Sequence, residues 1–403
     1  MIIKRKLNKI DLVILAGGIG SRISKFTKKQ PKPLINFNNR NFITYLINYY
    51  AKYPFNRIFI LAGYKGKQIS AKFHKKISNG IRIDRILEKK VLGTGGALSQ
   101  LKHKTNNNLV IINGDSFIKT DLKFLFENNI GKKNNYIFLT ENKNYKSNKL
   151  LSNLSLNKKG DVNFSGKLMN AGIYYFKNHI LKRIPNKKIS LENEIINNLI
   201  KTKNIKGKKI LSDFIDIGTY SNLIKGKKEF HKQFIKPAVF LDRDGVINYD
   251  LGYVHNMKKF RLRKNVIKGI KYLNLNDYYV FIVTNQSGIA RGIYTEETYL
   301  KFYRAIKEYF FKKQCYINDM EYSPFLKGSK IKKYNKNSKL RKPGNLMILN
   351  LFKKWVINKN KSFMLGDQIK DMISAKKSNL YFEYAKEDFN LQIRKILRKF
   401  NNY

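Results

Sequence analysis

Short apolar runs alternate with longer amphipathic stretches along the whole chain. The runs have the length and the β-branched and aromatic content of strands, and the stretches between them have helical length. The alternation predicts βαβ units, so we expect an α/β protein with mainly parallel sheets. The predicted strands cover residues 12–16, 58–62, 109–112, 136–139 and 172–176, followed by a second series at 238–241, 280–283 and 362–365.

A basic, helical-looking stretch at 225–237 separates the two series of strands and ends at a proline. A chain of 403 residues is also longer than one hydrophobic core usually serves. We therefore predict two domains, 1–232 and 237–403, with the boundary near residue 235. Residues 327–338 are rich in Lys, Asn, Ser and Gly and are predicted to form a mobile loop, and 388–403 to form a basic closing helix.

The composition favours a folded cytoplasmic protein. Apolar residues make up 42% of the chain and aromatic residues 13%, which is enough to build two cores. No stretch approaches the roughly 18 uninterrupted apolar residues of a membrane helix, so we expect no membrane span. The single cysteine, Cys315, excludes an internal disulfide and suits a reducing compartment.

The net charge of +55 has two interpretations. A nucleic-acid or anionic-membrane partner is one, because a strong positive field attracts polyanions. A compositional bias of the genome is the other, since the basic residues are scattered along the chain instead of forming one stripe. We favour the bias and expect no specific nucleic acid, although a basic nucleic-acid-associated protein stays open as an alternative.

A glycine-rich turn follows the first predicted strand and precedes a helical stretch. Its glycines let backbone N–H groups approach a triphosphate, and the start of the helix adds partial positive charge. An arginine in the turn and a lysine held between two prolines at 31–33 supply cations. The candidate phosphate contacts are Gly17, Gly18, Gly20, Ser21, Arg22 and Lys32.

The order GGxGSR and then PKP resembles the signature of the sugar-phosphate nucleotidyltransferases. LGTGGA at 92–97, NGD at 113–115, NAG at 170–172 and DIGT at 216–219 follow in the order of that family. The resemblance covers nearly all of residues 10–225. It implies a Rossmann-like (GT-A-like) sheet and an enzyme that joins a nucleoside triphosphate to a sugar 1-phosphate and releases pyrophosphate.

The same resemblance implies roles for individual residues. Asp115 and Asp216 are expected to hold Mg²⁺, while Arg22 and Lys32 offset charge on the leaving pyrophosphate. Many relatives carry a lysine for the sugar phosphate where this chain has Asn193. Either another cation such as Lys188 serves here, or sugar-phosphate binding is weaker. The remaining expected contacts to base, ribose and sugar are Gly93, Thr94, Gly95, Asn170 and Glu192.

A second constellation begins at the end of the strand at 238–241. Asp242 and Asp244 are two positions apart, which places both carboxylates near one point, and this is costly unless a cation lies between them. TNQSG at 284–288, RKP at 341–343 and GD at 366–367 follow, with Asp371 four residues further on.

This set resembles the haloacid dehalogenase superfamily, and DRDGVIN with TNQSGIARG is similar to its heptose 1,7-bisphosphate and histidinol-phosphate phosphatases. The resemblance spans about residues 237–385 and implies a Rossmannoid domain. Asp242 is then the nucleophile and Asp244 the general acid/base. The other expected roles are phosphoryl or substrate binding by Thr284, Asn285, Arg341 and Lys342, and Mg²⁺ binding by Asp242, Asp244 and Asp367.

Relatives in that group commonly hold a structural zinc with three cysteines and a histidine. The corresponding stretches here, 322–325 and 338–340, contain neither residue type, so we expect no structural zinc. That loop helps to select the substrate in relatives, and substrate choice is therefore the least constrained part of the prediction.

Together the two resemblances predict a bifunctional enzyme whose partners are a nucleoside triphosphate and sugar phosphates. A 7-phosphatase acting on a heptose 1,7-bisphosphate would leave the heptose 1-phosphate that a guanylyltransferase activates with GTP. The alternative is another sugar 1-phosphate used with UTP or CTP, joined to a sugar-phosphate or histidinol-phosphate phosphatase. A binding protein whose catalytic sites have decayed is a further alternative, opposed by the intact acidic residues.

Overall fold

The computed structural model describes residues 7–74, 76–127, 134–141 and 151–401. The chain forms two compact units. The first comprises Met1–Ile47, Phe55–Ile77 and Ile81–Phe230, and the second comprises Asn48–Pro54, Ser78–Gly80 and His231–Tyr403. Within the described residues, no helix combines the length and apolar character needed to cross a membrane.

The elements of the first unit combine βαβ units with several directly consecutive strands. The strands are β1 (Ile10–Leu15), β2 (Asn36–Phe37), β3 (Arg40–Asn41), β4 (Arg57–Ala62), β5 (Ile77–Ser78), β6 (Ile81–Leu87), β7 (Asn108–Asn113), β8 (Ser116–Ile118), β9 (Asn135–Thr140), β10 (Leu154–Leu156), β11 (Val162–Phe176), β12 (Ile205–Ile210) and β13 (Phe214–Asp216). The α-helices are α1 (Ser24–Thr27), α2 (Phe42–Tyr50), α3 (Gly66–Lys72), α4 (Gly93–Leu98), α5 (Lys123–Phe126), α6 (Asn178–Arg183), α7 (Asn197–Lys201) and α8 (Tyr220–Glu229). Short 3-10 turns cover Ser21–Ile23, Lys32–Leu34, Ser99–Leu101 and Phe230–Phe234, and a π-helix covers Leu191–Ile196.

A nine-stranded sheet organises the first unit, with the order β12-β9-β11-β7-β1-β4-β6-β5 and β10 beside β11. Strands β7, β1, β4 and β6 are parallel neighbours. The sheet is nevertheless mixed, because β11 runs antiparallel to both β7 and β9. The predicted strand at 172–176 therefore exists within β11 but departs from the parallel arrangement that we expected.

The second unit is built on a five-stranded, fully parallel sheet in the order β16-β15-β14-β17-β18. Its strands are β14 (Ala238–Leu241), β15 (Tyr279–Asn285), β16 (Asp319–Ser323), β17 (Phe363–Gly366) and β18 (Tyr381–Tyr384). Its α-helices are α9 (Val266–Leu275), α10 (Ser287–Ala290), α11 (Glu296–Lys312), α12 (Leu346–Lys354), α13 (Ile369–Lys376) and α14 (Phe389–Asn401), with 3-10 turns at Lys332–Tyr334 and Lys359–Lys361.

Strand β14 shows why this sheet is buried on both faces. Val239 and Leu241 point into one apolar cluster, whereas Ala238 and Phe240 point into another. Alternate side chains of a strand face opposite sides, so a continuously apolar strand needs cover on both. The central strand of the second unit is thereby fixed in register, together with the polar residues that follow it.

Local sequence signals fix the helices that flank this sheet. The side chain of Thr295 caps α11 by accepting a hydrogen bond from the backbone N–H of Thr298, and Glu296 and Glu297 lie in its first turn. At α13, Gln368 and Asp371 form a reciprocal capping box.

The segment at 327–338, predicted to be a mobile loop, has fixed contacts in the structure. The Ser329 hydroxyl donates to the carbonyl of Ala290 at 2.7 Å, and the Tyr334 hydroxyl donates to Glu296 at 2.9 Å. The ring of Tyr334 is also buried. These contacts tie the segment to α10 and to the start of α11.

Truncating a core residue of β7 should destabilise the first unit. Ile111 is completely buried, and Ile111→Ala should lower the free energy of unfolding by about 2–5 kcal/mol because it removes apolar contacts and leaves a cavity. Urea denaturation monitored by far-UV circular dichroism measures the change in the free energy of unfolding. Leu211→Ala is the matched control, since Leu211 is 84% exposed and its truncation should have little effect. Equal losses in both variants would contradict the assigned core.

Candidate active sites

The carboxyl ends of four parallel strands meet at one edge of the large sheet. Leu15 ends β1, Asn113 ends β7 and Leu87 ends β6, and a glycine or an acidic residue follows each within two positions. In open α/β sheets this edge is where ligands bind. The sequence therefore brings the glycine turn, Asp115 and a carboxylate after β6 to the same edge.

A first cleft of about 300 Å³ opens at this edge. Six of the predicted site residues line this cleft, together with apolar residues and Glu88. They are Gly17, Gly18, Lys32, Gly93, Thr94 and Asp115. Gly20 requires glycine, because its φ is 71° and its Cβ position lies 2.7 Å from Lys32 Cε. At Gly17 a Cβ would lie 2.5 Å from Glu88 Oε1 and would displace that carboxylate.

A second cleft of about 560 Å³ adjoins the first, because Asn113 and Asp115 line both. Asn113 Oδ1 is buried, and no described group donates a hydrogen bond to it, so it is available to a hydroxyl of a ligand. The predicted residues that line this second cleft are Arg22, Asp115, Asn170, Glu192 and Asp216, together with Asn193.

Lys32 and Asp115 form an ion pair between these clefts. Lys32 Nζ lies 3.0 Å from Asp115 Oδ2, and the lysine is buried. Asp216 is brought beside them by the antiparallel pair β8–β13, in which Asp216 is opposite Ser116, and the N–H of Ile217 donates to the carbonyl of Asp115 at 2.9 Å. Asp115 and Asp216 therefore both border the second cleft, while Lys32 lines the first, and the two carboxylates offer oxygen ligands of the kind that Mg²⁺ prefers.

A hydrogen-bonded chain joins the lining of the two clefts. Thr94 Oγ1 donates to Glu192 Oε2 at 3.0 Å, and the hydroxyl of Tyr174 donates to Glu192 Oε1 at 3.2 Å. Asn170 Nδ2 donates to the same hydroxyl at 2.6 Å, while its Oδ1 accepts from the N–H of Gly172. Burial, together with the Glu192 charge, raises the pKa of Tyr174 well above its usual value, so this hydroxyl stays protonated.

Several predicted contacts lie elsewhere. Gly95 is buried, and its N–H donates to the carbonyl of Ile189 at 3.1 Å instead of facing the first cleft. Gly20 and Ser21 are outside both linings, and Gly20 makes room for Lys32. Lys188 is exposed and also outside both linings, so among the described residues Arg22 is the cation that lines the second cleft.

Glu88 lines the first cleft and was absent from the sequence-based site. Burial raises the pKa of its carboxyl, and a hydrogen bond from the N–H of Leu92 at 3.5 Å acts in the opposite direction. The sequence signal that could have revealed Glu88 is its position directly after a strand. That strand, β6, alternates apolar and charged residues and is not predicted from the sequence, so the carboxylate that follows it is missed.

The second unit repeats this arrangement at the carboxyl edge of its own sheet. Asp242 follows β14, Asp367 follows β17 and Thr284 lies near the end of β15, and these three strands are adjacent. The N–H of Asp242 donates to the carbonyl of Leu365 at 3.0 Å, which fixes the first turn beyond the central strand.

A fully buried lysine neutralises part of the charge gathered there. Lys342 Nζ lies 2.7 Å from Asp242 Oδ2 and 2.7 Å from Asp371 Oδ1, and it donates to the carbonyl of Val283 at 2.9 Å. Two ion pairs and one hydrogen bond therefore surround an ammonium group that has three protons. Lys342, predicted to bind the phosphoryl group, reaches a phosphate only by exchanging one of these contacts.

Among the described residues, one group of three acidic side chains is arranged to hold a metal ion. Oxygens of Asp242, Asp367 and Asp371 all lie within 4.8 Å of one another. Burial raises the pKa of Asp242 to about 7 against the lowering effect of Lys342, and burial with the Asp371 charge also raises that of Asp367. Three carboxylates and one lysine leave excess negative charge, which a hard divalent cation with oxygen ligands would balance.

Asp244, predicted to be a metal ligand, lies outside this group and Asp371 takes its place. The carboxylate of Asp244 turns toward Arg243, whose Nη2 lies 2.7 and 2.9 Å from its two oxygens, and toward Asn248 Nδ2 at 2.9 Å. Gln286 Nε2 donates to it at 3.3 Å and to Thr284 Oγ1 at 2.9 Å. Spacing along the chain does not reveal this rotation.

The remaining predicted residues surround the cluster. Asn285 binds the backbone of Lys342 through both side-chain atoms, at 3.0 and 3.1 Å, so it positions the lysine segment. Arg341 is half-buried and donates to the carbonyl of Phe325 at 3.2 Å. Burial and the nearby Arg291 lower the pKa of Arg341, and both cations favour an anionic ligand at this edge.

Comparison with known proteins gives one family match and several similar relatives. The model of the nucleotidyl transferase family matches residues 12–233. A D-glycero-beta-D-manno-heptose-1,7-bisphosphate 7-phosphatase of Rhodopseudomonas palustris is 36% identical over 163 residues, which are 40% of this chain and 91% of the relative. The enzyme of the same name from Photorhabdus laumondii is 38% identical over 139 residues, 34% of this chain and 74% of the relative.

A third relative has a different name. The D-glycero-alpha-D-manno-heptose 1-phosphate guanylyltransferase of Aneurinibacillus thermoaerophilus is 35% identical over 125 residues. The matched stretch is 31% of this chain and 54% of that enzyme, so the similarity spans about half of the guanylyltransferase.

Substitutions in the acidic cluster should separate the metal ligands from Asp244. Asp367→Asn should weaken Mn²⁺ binding by about tenfold or more because it removes a charged oxygen ligand, whereas Asp244→Asn should leave the affinity within about twofold. Electron paramagnetic resonance titration measures this in an Asp216→Asn background, which weakens the other candidate metal site.

Asp250→Asn, at an exposed position, is the matched control. A loss of affinity in Asp244→Asn as large as that in Asp367→Asn would restore Asp244 as a ligand and contradict the cluster described here.

Proposed function

We propose, since this chain belongs to the nucleotidyl transferase family and to the family of the D-glycero-beta-D-manno-heptose-1,7-bisphosphate 7-phosphatases, that it performs two consecutive steps of activated-sugar synthesis. The second unit removes the 7-phosphate from a heptose 1,7-bisphosphate. The first unit then transfers GMP from GTP to the resulting heptose 1-phosphate. The observation that carries this proposal is that each unit has its own carboxylate and lysine cluster beside the carboxyl ends of parallel strands.

In the phosphatase step, Asp242 is the group placed to attack phosphorus. Its carboxylate forms a new P–O bond, the bond from phosphorus to the sugar O7 breaks, and Asp244 gives a proton to that oxygen. Water then attacks the aspartyl-phosphate and passes a proton to Asp244, which releases inorganic phosphate and restores Asp242. Lys342 Nζ lies 2.7 Å from Asp242 Oδ2, and this ion pair fixes the orientation of the Asp242 carboxylate.

Mg²⁺ bound by Asp242, Asp367 and Asp371 would supply charge neutralisation for the incoming phosphate. Around it, the chain's own groups orient the substrate. Arg341 and Arg291 attract the anionic parts of a bisphosphate, and Thr284 offers a hydroxyl at the end of β15.

In the nucleotidyl step, no protein nucleophile is needed. An oxygen of the sugar 1-phosphate attacks the α-phosphorus of the triphosphate, the bond to the β-phosphate bridge breaks, and pyrophosphate leaves. Gly17 and Gly18 permit close approach of the triphosphate, and Lys32 and Arg22 offset its charge. Asp115 and Asp216 are the proposed Mg²⁺ ligands at this site.

The side chains of the second cleft suit a sugar phosphate. Glu192, Asn170 and the unsatisfied Asn113 Oδ1 present oxygen acceptors and an amide to sugar hydroxyls, while Arg22 supplies a cation for the phosphate. Arg22 would thereby bind the sugar phosphate, which in relatives is the role of a lysine at the position of Asn193.

Glu88 supports guanine as the base. A carboxylate accepts two hydrogen bonds, and guanine presents adjacent N1–H and 2-amino donors on one edge. Glu88 lines the first cleft on the side of the loop at 92–97, and its backbone is fixed by a hydrogen bond to Ala62 at 3.0 Å. Uracil and cytosine do not offer this pair of donors, so the carboxylate would select GTP.

The relatives of the two units are named for different anomers of the heptose phosphate. The phosphatase relatives are named for the beta-anomer of the bisphosphate, and the guanylyltransferase relative for the alpha-anomer of the 1-phosphate. A chain that performs both steps must release the anomer that its own nucleotidyl site accepts. We therefore propose that its phosphatase site accepts the alpha-anomer, which a comparison of the two synthetic bisphosphates would test.

Asp242→Asn should separate the two activities. The variant should release no phosphate from heptose 1,7-bisphosphate, a loss of at least about 10³-fold, because an amide does not form the aspartyl-phosphate. It should transfer GMP to heptose 1-phosphate at the rate of the unsubstituted chain. Malachite-green detection of phosphate and a pyrophosphate-coupled assay measure the two rates. Asp115→Asn is the reciprocal control, and loss of both activities in either variant would contradict the division of labour.

Glu88→Gln should remove the preference for guanine. The unsubstituted enzyme should use GTP about 10- to 100-fold better than ITP, in kcat/KM, because ITP lacks the 2-amino group that donates to a charged acceptor. In Glu88→Gln the two values should become similar. Pyrophosphate release with heptose 1-phosphate measures both.

Glu192→Gln is the matched control in the second cleft and should raise KM for the sugar phosphate without changing the ratio of GTP to ITP. An unchanged ratio in Glu88→Gln would remove Glu88 from base recognition. Higher activity with UTP or with glucose 1-phosphate would contradict the proposed substrates.

A further inference from the structure

Arg243, between the two aspartates of the phosphatase site, is among the largest fully buried side chains of the chain and is 1% exposed. Its guanidinium contacts both carboxylate oxygens of Asp244, with Nη2 at 2.9 Å from Oδ1 and 2.7 Å from Oδ2 and Nε at 3.2 Å from Oδ1. Nη2 also donates to the carbonyl of Val254 at 2.6 Å. Burying a charged group is costly unless a partner compensates it, and Asp244 is that partner.

Two aromatic rings lie close to the guanidinium of Arg243. Its central carbon lies 5.6 Å from the ring centre of Tyr299 and 5.3 Å from that of Phe302. Both residues belong to α11, which is capped at Thr295 and is part of the apolar core. Rings at these distances attract a cation, so the helix determines where Arg243 lies and Arg243 determines where Asp244 lies.

The other contacts of Asp244 are also with neutral or cationic protein donors. Asn248 Nδ2 donates at 2.9 Å and Gln286 Nε2 at 3.3 Å, and Gln286 is itself held by the hydroxyl of Tyr294 at 2.7 Å. Asp242, by contrast, shares its surroundings with Asp367 and Asp371. The two aspartates are only two positions apart but have different surroundings. Asp242 belongs to the acidic group that could hold a cation, whereas Asp244 is surrounded by hydrogen-bond donors of the protein.

We propose that Arg243 is a positioning residue that orients Asp244 toward the leaving-group oxygen of the substrate. This inference rests on the proposed phosphatase function. It assigns to Arg243 the step in which the bond from phosphorus to the substrate oxygen breaks and Asp244 transfers a proton to that oxygen. Asp242 forms the new bond to phosphorus in the same step.

The dependence on the leaving group distinguishes this role from general support of the fold. A sugar alkoxide is a strong base and leaves slowly without a proton, whereas p-nitrophenolate is stable and leaves without one. Misalignment of Asp244 should therefore slow the first step for a sugar phosphate and hardly affect p-nitrophenyl phosphate. A damaged fold or a displaced Asp242 would slow both substrates alike.

The experiment compares single-turnover release of heptose 1-phosphate from heptose 1,7-bisphosphate with release of p-nitrophenol from p-nitrophenyl phosphate, using the full chain with Mg²⁺. In Arg243→Met, release from the sugar phosphate should fall on the order of 100-fold and release of p-nitrophenol by less than about threefold, with KM for the bisphosphate nearly unchanged. Arg243→Lys keeps the charge but lacks the planar pair of donors, and it should show the same pattern if Arg243→Met does not fold.

Asp244→Asn serves as the benchmark and should reproduce the same discrimination between substrates. Asp319→Asn is the matched control, because Asp319 is a buried, ion-paired carboxylate at the amino end of β16, where Trp355 Nε1 donates to it at 2.9 Å. It should affect both substrates equally. Equal slowing of the two substrates in the Arg243 variants, or no slowing, would overturn the inference.

The choice of substrate is tested separately from the role of Arg243. An unsubstituted enzyme that releases p-nitrophenol but no phosphate from the heptose compound would refute heptose bisphosphate as substrate. The comparison of leaving groups would then use another alkyl phosphate that the enzyme accepts, with the same expected and contradicting results.

Discussion

A lysine paired with a carboxylate beside the carboxyl ends of parallel strands is the interaction on which both sites depend. Lys32 meets Asp115 at 3.0 Å in the first unit, and Lys342 meets Asp242 and Asp371 at 2.7 Å in the second. Like charges gather at a strand end only when a cation lies among them. For the fully buried Lys342, removing one partner of the pair costs about 3–5 kcal/mol. Each lysine lets a site carry acidic groups for a divalent ion while the cleft still attracts phosphates. The two units thus solve the same electrostatic problem on different sheets.

Much of the fold follows from the apolar pattern, and the exceptions have physical causes. The strand predicted at 238–241 has the bounds of β14, because its residues are apolar on both faces. Strands β6 and β12 were not predicted, since IRIDRIL alternates with charged residues and IKGKKI contains three lysines and glycine among its six positions. The direction of β11 could not be inferred either. An apolar run predicts that a strand is buried but says nothing of whether its neighbour runs parallel or antiparallel.

The candidate sites were predictable where a motif directly follows a strand, as at Asp115, Asp242 and Asp367. They were not predictable where side-chain rotation or helix packing decides. Asp371 joins the metal group because the first turn of α13 returns it over the end of β17, and Asp244 leaves it because Arg243 turns its carboxylate away. Gly95 was expected to face a ligand, but its N–H binds the backbone of Ile189. Such choices depend on contacts between residues far apart in the sequence.

The most direct test follows both phosphates of one substrate through the whole reaction by phosphorus NMR. The unsubstituted chain is incubated with alpha-heptose 1,7-bisphosphate, GTP and Mg²⁺. The C7 phosphomonoester signal should disappear as inorganic phosphate forms, and the paired diphosphate signals of a GDP-sugar should rise afterwards with pyrophosphate. A nucleotide sugar that still carries its C7 phosphate, or inorganic phosphate without any nucleotide sugar, would contradict it.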